Sequence, residues 1–258
     1  MGRAIERASG LGQRRGSGAL ASGSSGVPEG DRTISGVVLL LPGGEPVSTR
    51  RASSFSVAAL RPLARRLERA GRAEGLVVHL VHYRCRGWNG AAAHTAHDAE
   101  WAADEVLRRY GDVPVCLAGT GLGGRAALWA AGHPAVNSVL AISPWLPPVA
   151  DAAEPEPVKQ LVGRQVMIVH GTNDQRTDPD LSYRLAERAK KANRDTCRFE
   201  VHSDGHSLHQ HRSEVQALAV DFVLGSLAGR GYSRPVTDAL AAPPPLGLRM
   251  PLAVGFGG

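Results

Sequence analysis

Pro114-Val-Cys-Leu-Ala-Gly119-Thr-Gly121-Leu-Gly123-Gly-Arg-Ala-Ala-Leu-Trp-Ala-Ala131 changes character twice along its length. A short apolar run gives way to a turn holding four glycines, and the turn to an Ala/Leu-rich segment with helical spacing. A strand, a tight corner and a helix follow from that order. Gly119, Gly121, Gly123 and Gly124 supply backbone conformations that residues with a Cβ resist, and they let strand and helix approach closely.

Two chemistries use such a corner. One is the dinucleotide fingerprint G-x-G-x-x-G, which Gly119, Gly121 and Gly124 satisfy literally and which would make the chain a nucleotide-binding oxidoreductase. That reading needs an Asp or Glu about 20 residues on, at the end of the next strand, to hold the ribose. The next apolar run, Val136 to Ile142, ends in Ser143-Pro144-Trp145 with no acid. The motif also lies mid-chain, after at least two strand–helix units. The other chemistry is the nucleophile elbow G-x-S-x-G, which thrusts its central residue out of the corner. Gly119, Gly121 and Gly123 occupy its three fixed positions, so glycine stands where serine is expected.

Downstream motifs favour the elbow. Val166-Met-Ile-Val-His170-Gly-Thr-Asn-Asp174 reads as a strand running into a loop with an acid, and Phe199-Glu-Val-His-Ser-Asp-Gly205-His206 as a strand ending in Gly-His. The order of elbow, acid and histidine resembles that of the α/β-hydrolases, in the neighbourhood of small esterases, dienelactone hydrolases and serine aminopeptidase-like hydrolases. The resemblance spans roughly residues 36–227.

That resemblance implies a three-layer α/β fold and descent from an ester or acyl hydrolase. It implies Asp174 as the triad acid and His206 as the base, with Gly121 at the position of the missing nucleophile. Asp178, in Thr-Asp-Pro, is read instead as a helix cap or turn residue. Leu41-Pro42-Gly43-Gly44 sits where the family carries its oxyanion loop. The N–H groups of Gly43, Gly44 and Leu122, the residue after the nucleophile position, would cradle a developing oxyanion. Pro42 replaces the usual histidine and removes one donor. Trp145 is expected at the pocket, with residues 144–157 forming either a short lid or a plain Pro-rich loop. Thr120 and Cys85 are poor substitutes for the lost serine: the first is shifted by one residue on a sharp corner, and the second has no elbow. With glycine at 121 the expectation is a weak or non-catalytic pseudo-hydrolase that binds a small apolar or ester-like ligand, or a protein partner. The alternative is a hydrolase in which His206 activates water directly.

Around the corner, short apolar runs alternate with amphipathic segments. Strands are expected at 37–41, 76–81, 115–118, 136–142, 165–169 and 197–202. Helices are expected at 56–70, at 98–110 with Asp98 or its predecessor as cap, after the elbow, and at 180–191 and 208–227. Six strands in this pattern make a mostly parallel sheet with helices on both faces, forming one domain over 33–228. The family's N-terminal edge strands are expected to be missing, because residues 1–32 are rich in Gly, Ser and Arg and read as a disordered tail. Residues 229–258, with Pro243-Pro-Pro245, read as a loose extension in which Leu246, Leu248 and Leu252 could dock.

Composition excludes other classes. The net charge is +6, and apart from Lys159, Lys190 and Lys191 the basic residues are arginines scattered over helices and tails, with no aromatic-interleaved stripe for nucleic acid. His202, His206, His209 and His211 do not fall on one face, and there is no H-E-x-x-H, so neither a metal nor a cofactor is expected. Three cysteines, Cys85, Cys116 and Cys197, suit reduced thiols. The run Val37–Leu41 is far too short to cross a membrane, and the first residues lack the apolar core of a signal peptide. The expected location is the cytoplasm.

Overall fold

The computed structural model describes residues 33–148 and 155–257 in full, and the backbone of two further strands at 5–6 and 19–22. The chain runs through strands β1 (Ile5–Glu6), β2 (Ala19–Ser22) and β3 (Gly36–Leu41), helix α1 (Ser54–Gly71), β4 (Leu76–His82), α2 (His94–Tyr110) and β5 (Val115–Thr120). It continues with α3 (Leu122–Ala130), β6 (Val136–Ile142), β7 (Gln165–Gly171), α4 (Pro179–Ala192) and β8 (Thr196–Val201). Helices α5 (Arg212–Ala228) and α6 (Arg234–Ala241) and strand β9 (Met250–Pro251) close the fold. The nine described strands join one sheet in the order β1-β2-β4-β3-β5-β6-β7-β8-β9. From β4 to β9 neighbours are parallel, whereas β1 and β2 pair antiparallel at the edge.

Strand alternation sorts the core onto the two faces of the sheet. Val37, Leu39, Leu117, Val139 and Ile168 point to one side, where Ala99, Ala103 and Val106 of α2, Ala126 of α3 and Leu185 of α4 cover them. Val38, Leu40, Ala118, Leu140 and Val169 point to the other, against Leu60, Leu63 and Leu67 of α1 and Leu218 and Phe222 of α5. The helical spacing that marks α1 in sequence is therefore the stripe it buries. Helix α4 starts where Asp178 accepts a hydrogen bond from the Asp180 N–H at 2.9 Å, with Pro179 in the first turn.

The structure corrects several expectations. Among the described residues the sheet has nine strands where about six were expected, and the N-terminal edge is present: β2 pairs with β4, and β1 with β2. These strands are two and four residues long, too short to carry an apolar alternation. The remainder of the expected tail at 1–32 lies outside the described residues, as do residues 149–154 of the expected lid. Helix α2 begins at His94, not at Asp98, which is buried in its first turns and accepts from the Arg84 N–H at 2.8 Å. The C-terminal stretch is not loose: α6 and β9 fold onto the sheet and bury Val236, Ala239, Leu248 and Leu252, leaving Leu246 exposed. No helix among the described residues is long and apolar enough to cross a membrane.

Candidate functional site

The corner between β5 and α3 turns on Gly121, whose φ of 54° and ψ of −121° lie outside the regions open to most L-residues. Its N–H donates to the Ile142 carbonyl at 3.0 Å, and its carbonyl accepts from Gly124 at 3.0 Å and Trp145 at 2.9 Å. The flanking glycines are there for space. A Cβ at Gly119 would lie 2.1 Å from the Gly123 carbonyl oxygen, and one at Gly123 would lie 2.2 Å from that of Leu41. At Gly121 the nearest atom to such a Cβ is His206 Nε2, at 3.5 Å. The corner thus has room for a side chain at 121, aimed at an imidazole. The same ring stands before the N-terminus of α3, where a dinucleotide would need its pyrophosphate.

His206 follows β8 and Asp174 follows β7, and the two meet: His206 Nδ1 lies 2.8 Å from Asp174 Oδ2. The same oxygen receives His170 Nε2 at 3.0 Å, while Oδ1 accepts the N–H groups of Arg176 at 2.8 Å and Thr177 at 3.1 Å. Burial alone would raise the Asp174 pKa. The bonds from both histidines and both backbone N–H groups outweigh it and hold the carboxyl well below the usual carboxylate range. With Nδ1 donating to an ionised carboxylate, the Nε2 of a neutral His206 carries a lone pair towards the corner. Among the described residues, Nε2 has no hydrogen-bond partner.

The loop after β3 closes the other side of the corner. Glu45 N–H donates to Arg86 at 2.9 Å, Trp88 N–H donates to Glu45 at 3.0 Å, and a Cβ at Gly44 would lie 2.2 Å from the Arg86 carbonyl oxygen. So fixed, the loop brings Gly43 Cα to 4.0 Å from the Cβ position of Gly121. Gly43 and Gly44 N–H groups make no hydrogen bond among the described residues. Leu122 opens α3, so its N–H is one of those a helix leaves without an internal acceptor.

Trp145, tied through its backbone to Gly121, also flanks a buried cage. The Arg125 guanidinium carbon lies 3.8 Å from the ring centre of Trp88, 5.2 Å from Trp145 and 5.9 Å from Trp129. Arg125 binds both carboxylate oxygens of Glu156, at 3.1 and 2.5 Å, and the Trp129 indole N–H adds a third bond. Glu156 thereby fastens the described end of the 144–157 segment against α3.

Other candidates stand apart from this constellation. Asp178 caps α4. Cys85 lies in the turn after β4, with Asn89 Nδ2 at 3.6 Å from its sulfur. Thr120 places its hydroxyl oxygen 4.0 Å from the Cβ position of Gly43, on the side of that loop. His202 and His209 are exposed, and His211 pairs with Asp204 at 3.2 Å. The sequence reading passed over His170, although it stands four residues before Asp174; a polar residue closing a buried apolar strand was the available signal. It also missed the Arg125–Glu156 pair, whose partners are far apart in the chain.

No protein-family model and no curated protein matches the chain. Solved structures do match. An esterase of Pyrococcus furiosus is similar with a TM-score of 0.62 at 14% identity, over 88% of this chain and 91% of its own. A lidless α/β serine hydrolase of Xanthomonas campestris gives 0.58 at 18% identity, over 89% and 96%. An esterase of Pyrobaculum calidifontis gives 0.59 at 16% identity, over 89% and 85%. The chain has the α/β-hydrolase fold.

Proposed function

We propose that the corner at Gly121 is a hydrolase-type site without its nucleophile, which binds a small apolar acyl or ester-like ligand non-covalently. The observation that carries this reading is the contrast among the corner glycines: 119 and 123 exclude a Cβ, whereas 121 would take one 3.5 Å from His206 Nε2. A serine there would meet the base that removes its proton. Glycine relieves backbone strain of about 1–3 kcal/mol and removes the attacking oxygen. The N–H groups of Gly43 and Leu122 remain as donors for a ligand's carbonyl or carboxylate oxygen.

Gly121→Ser is the test. The variant should hydrolyse short-chain aryl esters and react stoichiometrically with a fluorophosphonate probe, while the wild type does neither above the level of a His206→Ala control. A folded Gly121→Ser that stays inert on several such esters, or a wild type labelled at any pocket serine or threonine, sinks the proposal. One observation favours the second reading, direct water activation: His206 Nδ1 pairs with Asp174, and among the described residues no group hydrogen-bonds its Nε2. Under that reading, wild-type hydrolysis of activated esters would be slow and would vanish in His206→Ala.

A further inference from the structure

Asp174 serves two histidines, and only one of them faces the corner. His170 is fully buried at the end of β7, with Nε2 on Asp174 Oδ2 at 3.0 Å and Nδ1 on Ser182 Oγ at 2.8 Å. Ser182, in α4, lies 2.8 Å from the Pro179 carbonyl and accepts from Arg198 Nε of β8 at 3.1 Å. A buried polar chain therefore runs Arg198, Ser182, His170, Asp174, His206 and ends at Gly121.

The direction of each bond follows from what its members can do. A guanidinium only donates, so Ser182 Oγ accepts from Arg198 and has one proton to give. If that proton goes to His170 Nδ1, the neutral ring carries its own proton on Nε2. If it goes to the Pro179 carbonyl, Nδ1 must donate to Ser182. Nε2, facing an ionised carboxylate, must then be protonated too. In both arrangements His170 Nε2 donates to Asp174. With the N–H groups of Arg176 and Thr177 on Oδ1, the carboxylate is held by three donors besides His206.

We infer that His170 is a positioning residue, which fixes the Asp174 carboxylate against His206 Nδ1 and withdraws part of its negative charge from that ring. This rests on the proposed role of the Asp174–His206 pair. The charged groups around the chain are Asp174, Arg198, and beyond it Glu200, Arg249 and Asp180. Of these, Asp174 alone bonds His170 directly, so the effect on His206 passes through one oxygen.

The test uses the full-length chain with Gly121 unchanged and reads the ring nitrogens of His206 by NMR titration. His170→Asn keeps a group near Ser182 and gives up the Nε2 position, while His170→Gln places an amide donor where Nε2 was. The Asn variant should raise the proton affinity of the His206 ring by up to about tenfold and expose its Nδ1–H to faster solvent exchange. The Gln variant should stay near wild type. Two folded variants that both titrate like wild type, or that shift identically, would make His170 a packing residue and overturn the inference. Should neither fold, the unaltered chain decides: the coupling requires a proton on His170 Nε2 towards Asp174, and an NMR spectrum in which that nitrogen carries none refutes it. In the Gly121→Ser background, His170→Asn should lower kcat with little change in KM. An inert Gly121→Ser with an altered titration would refute the proposed function while leaving this inference standing.

Discussion

Gly119, Gly121 and Gly123 share one corner, yet an added methyl would meet different obstacles at each. At 119 and 123 it would overlap backbone oxygen and carbon that cannot move without opening the junction of β5, β3 and α3. At 121 it would find space, and the penalty would come from the φ of +54° alone. Gly121→Ala should therefore destabilise the protein by about 1–3 kcal/mol, with folding otherwise intact. Gly119→Ala and Gly123→Ala should lose several times as much, or fail to fold. Urea denaturation of the three variants measures this directly; equal losses would mean that position 121 is as crowded as its neighbours. Serine at 121 should suffer the same backbone strain as alanine, so any esterase activity it gains would come at reduced stability.

Helix α2 and strand β4 are joined by a second buried histidine, remote from the chemistry in sequence and role. His79 Nε2 lies 2.7 Å from the Tyr110 hydroxyl, and the two rings stack with centres 5.6 Å apart. Burial, with the Arg109 charge adding to it, lowers the His79 pKa from its usual value to about 4. The unfolded chain takes up a proton near pH 6.5, which the folded chain refuses until about pH 4. Stability from this group is thus complete above pH 6.5 and is lost as pH falls towards 4, by roughly 3 kcal/mol at most. His79→Phe should flatten the urea-midpoint profile across that window, and a variant that keeps the wild-type slope would assign the acid sensitivity elsewhere.

At this scale, what the sequence disclosed depended on element length. Strand β6 and the apolar stripe of α1 are long enough for their period to show. Strands β1, β2 and β9 exist because a neighbouring edge offers hydrogen bonds, and two to four residues hold no period of their own. Asp174 and His206 could be paired because each ends a strand in a fixed order. His170 and Ser182 could not, since their proximity arises only when α4 packs beside β7.

The last residues of the fold close the sheet at its β8 edge. Tyr232 lies over Gly225, where a Cβ would sit 2.1 Å from its ring, and its hydroxyl donates to Gln165 at 2.6 Å. Lys190 Nζ donates to the Leu240 carbonyl at 2.7 Å, Arg198 to that of Leu248 at 3.0 Å, and the Leu252 N–H to that of Glu200 at 2.9 Å. Val236, Ala239 and Leu252 complete the core that covers Cys197 on β8. Burial pushes the Cys197 and Cys116 thiols up to about 12, so neither presents a thiolate to reagent in the native fold. Cys85 is half-buried in a surface turn. The native chain should therefore titrate one thiol rapidly with a disulfide reagent. Deleting residues 230–258 should release a second, Cys197, while Cys116, on a central strand, stays protected until global unfolding. Val236→Asp in the full chain should give the same labelling if the truncated protein does not fold. A truncated chain that still shows one fast thiol and an unchanged melting temperature would mean that the extension lies on the fold without supporting it. The Arg198–Ser182–His170 chain would then owe nothing to the C-terminus.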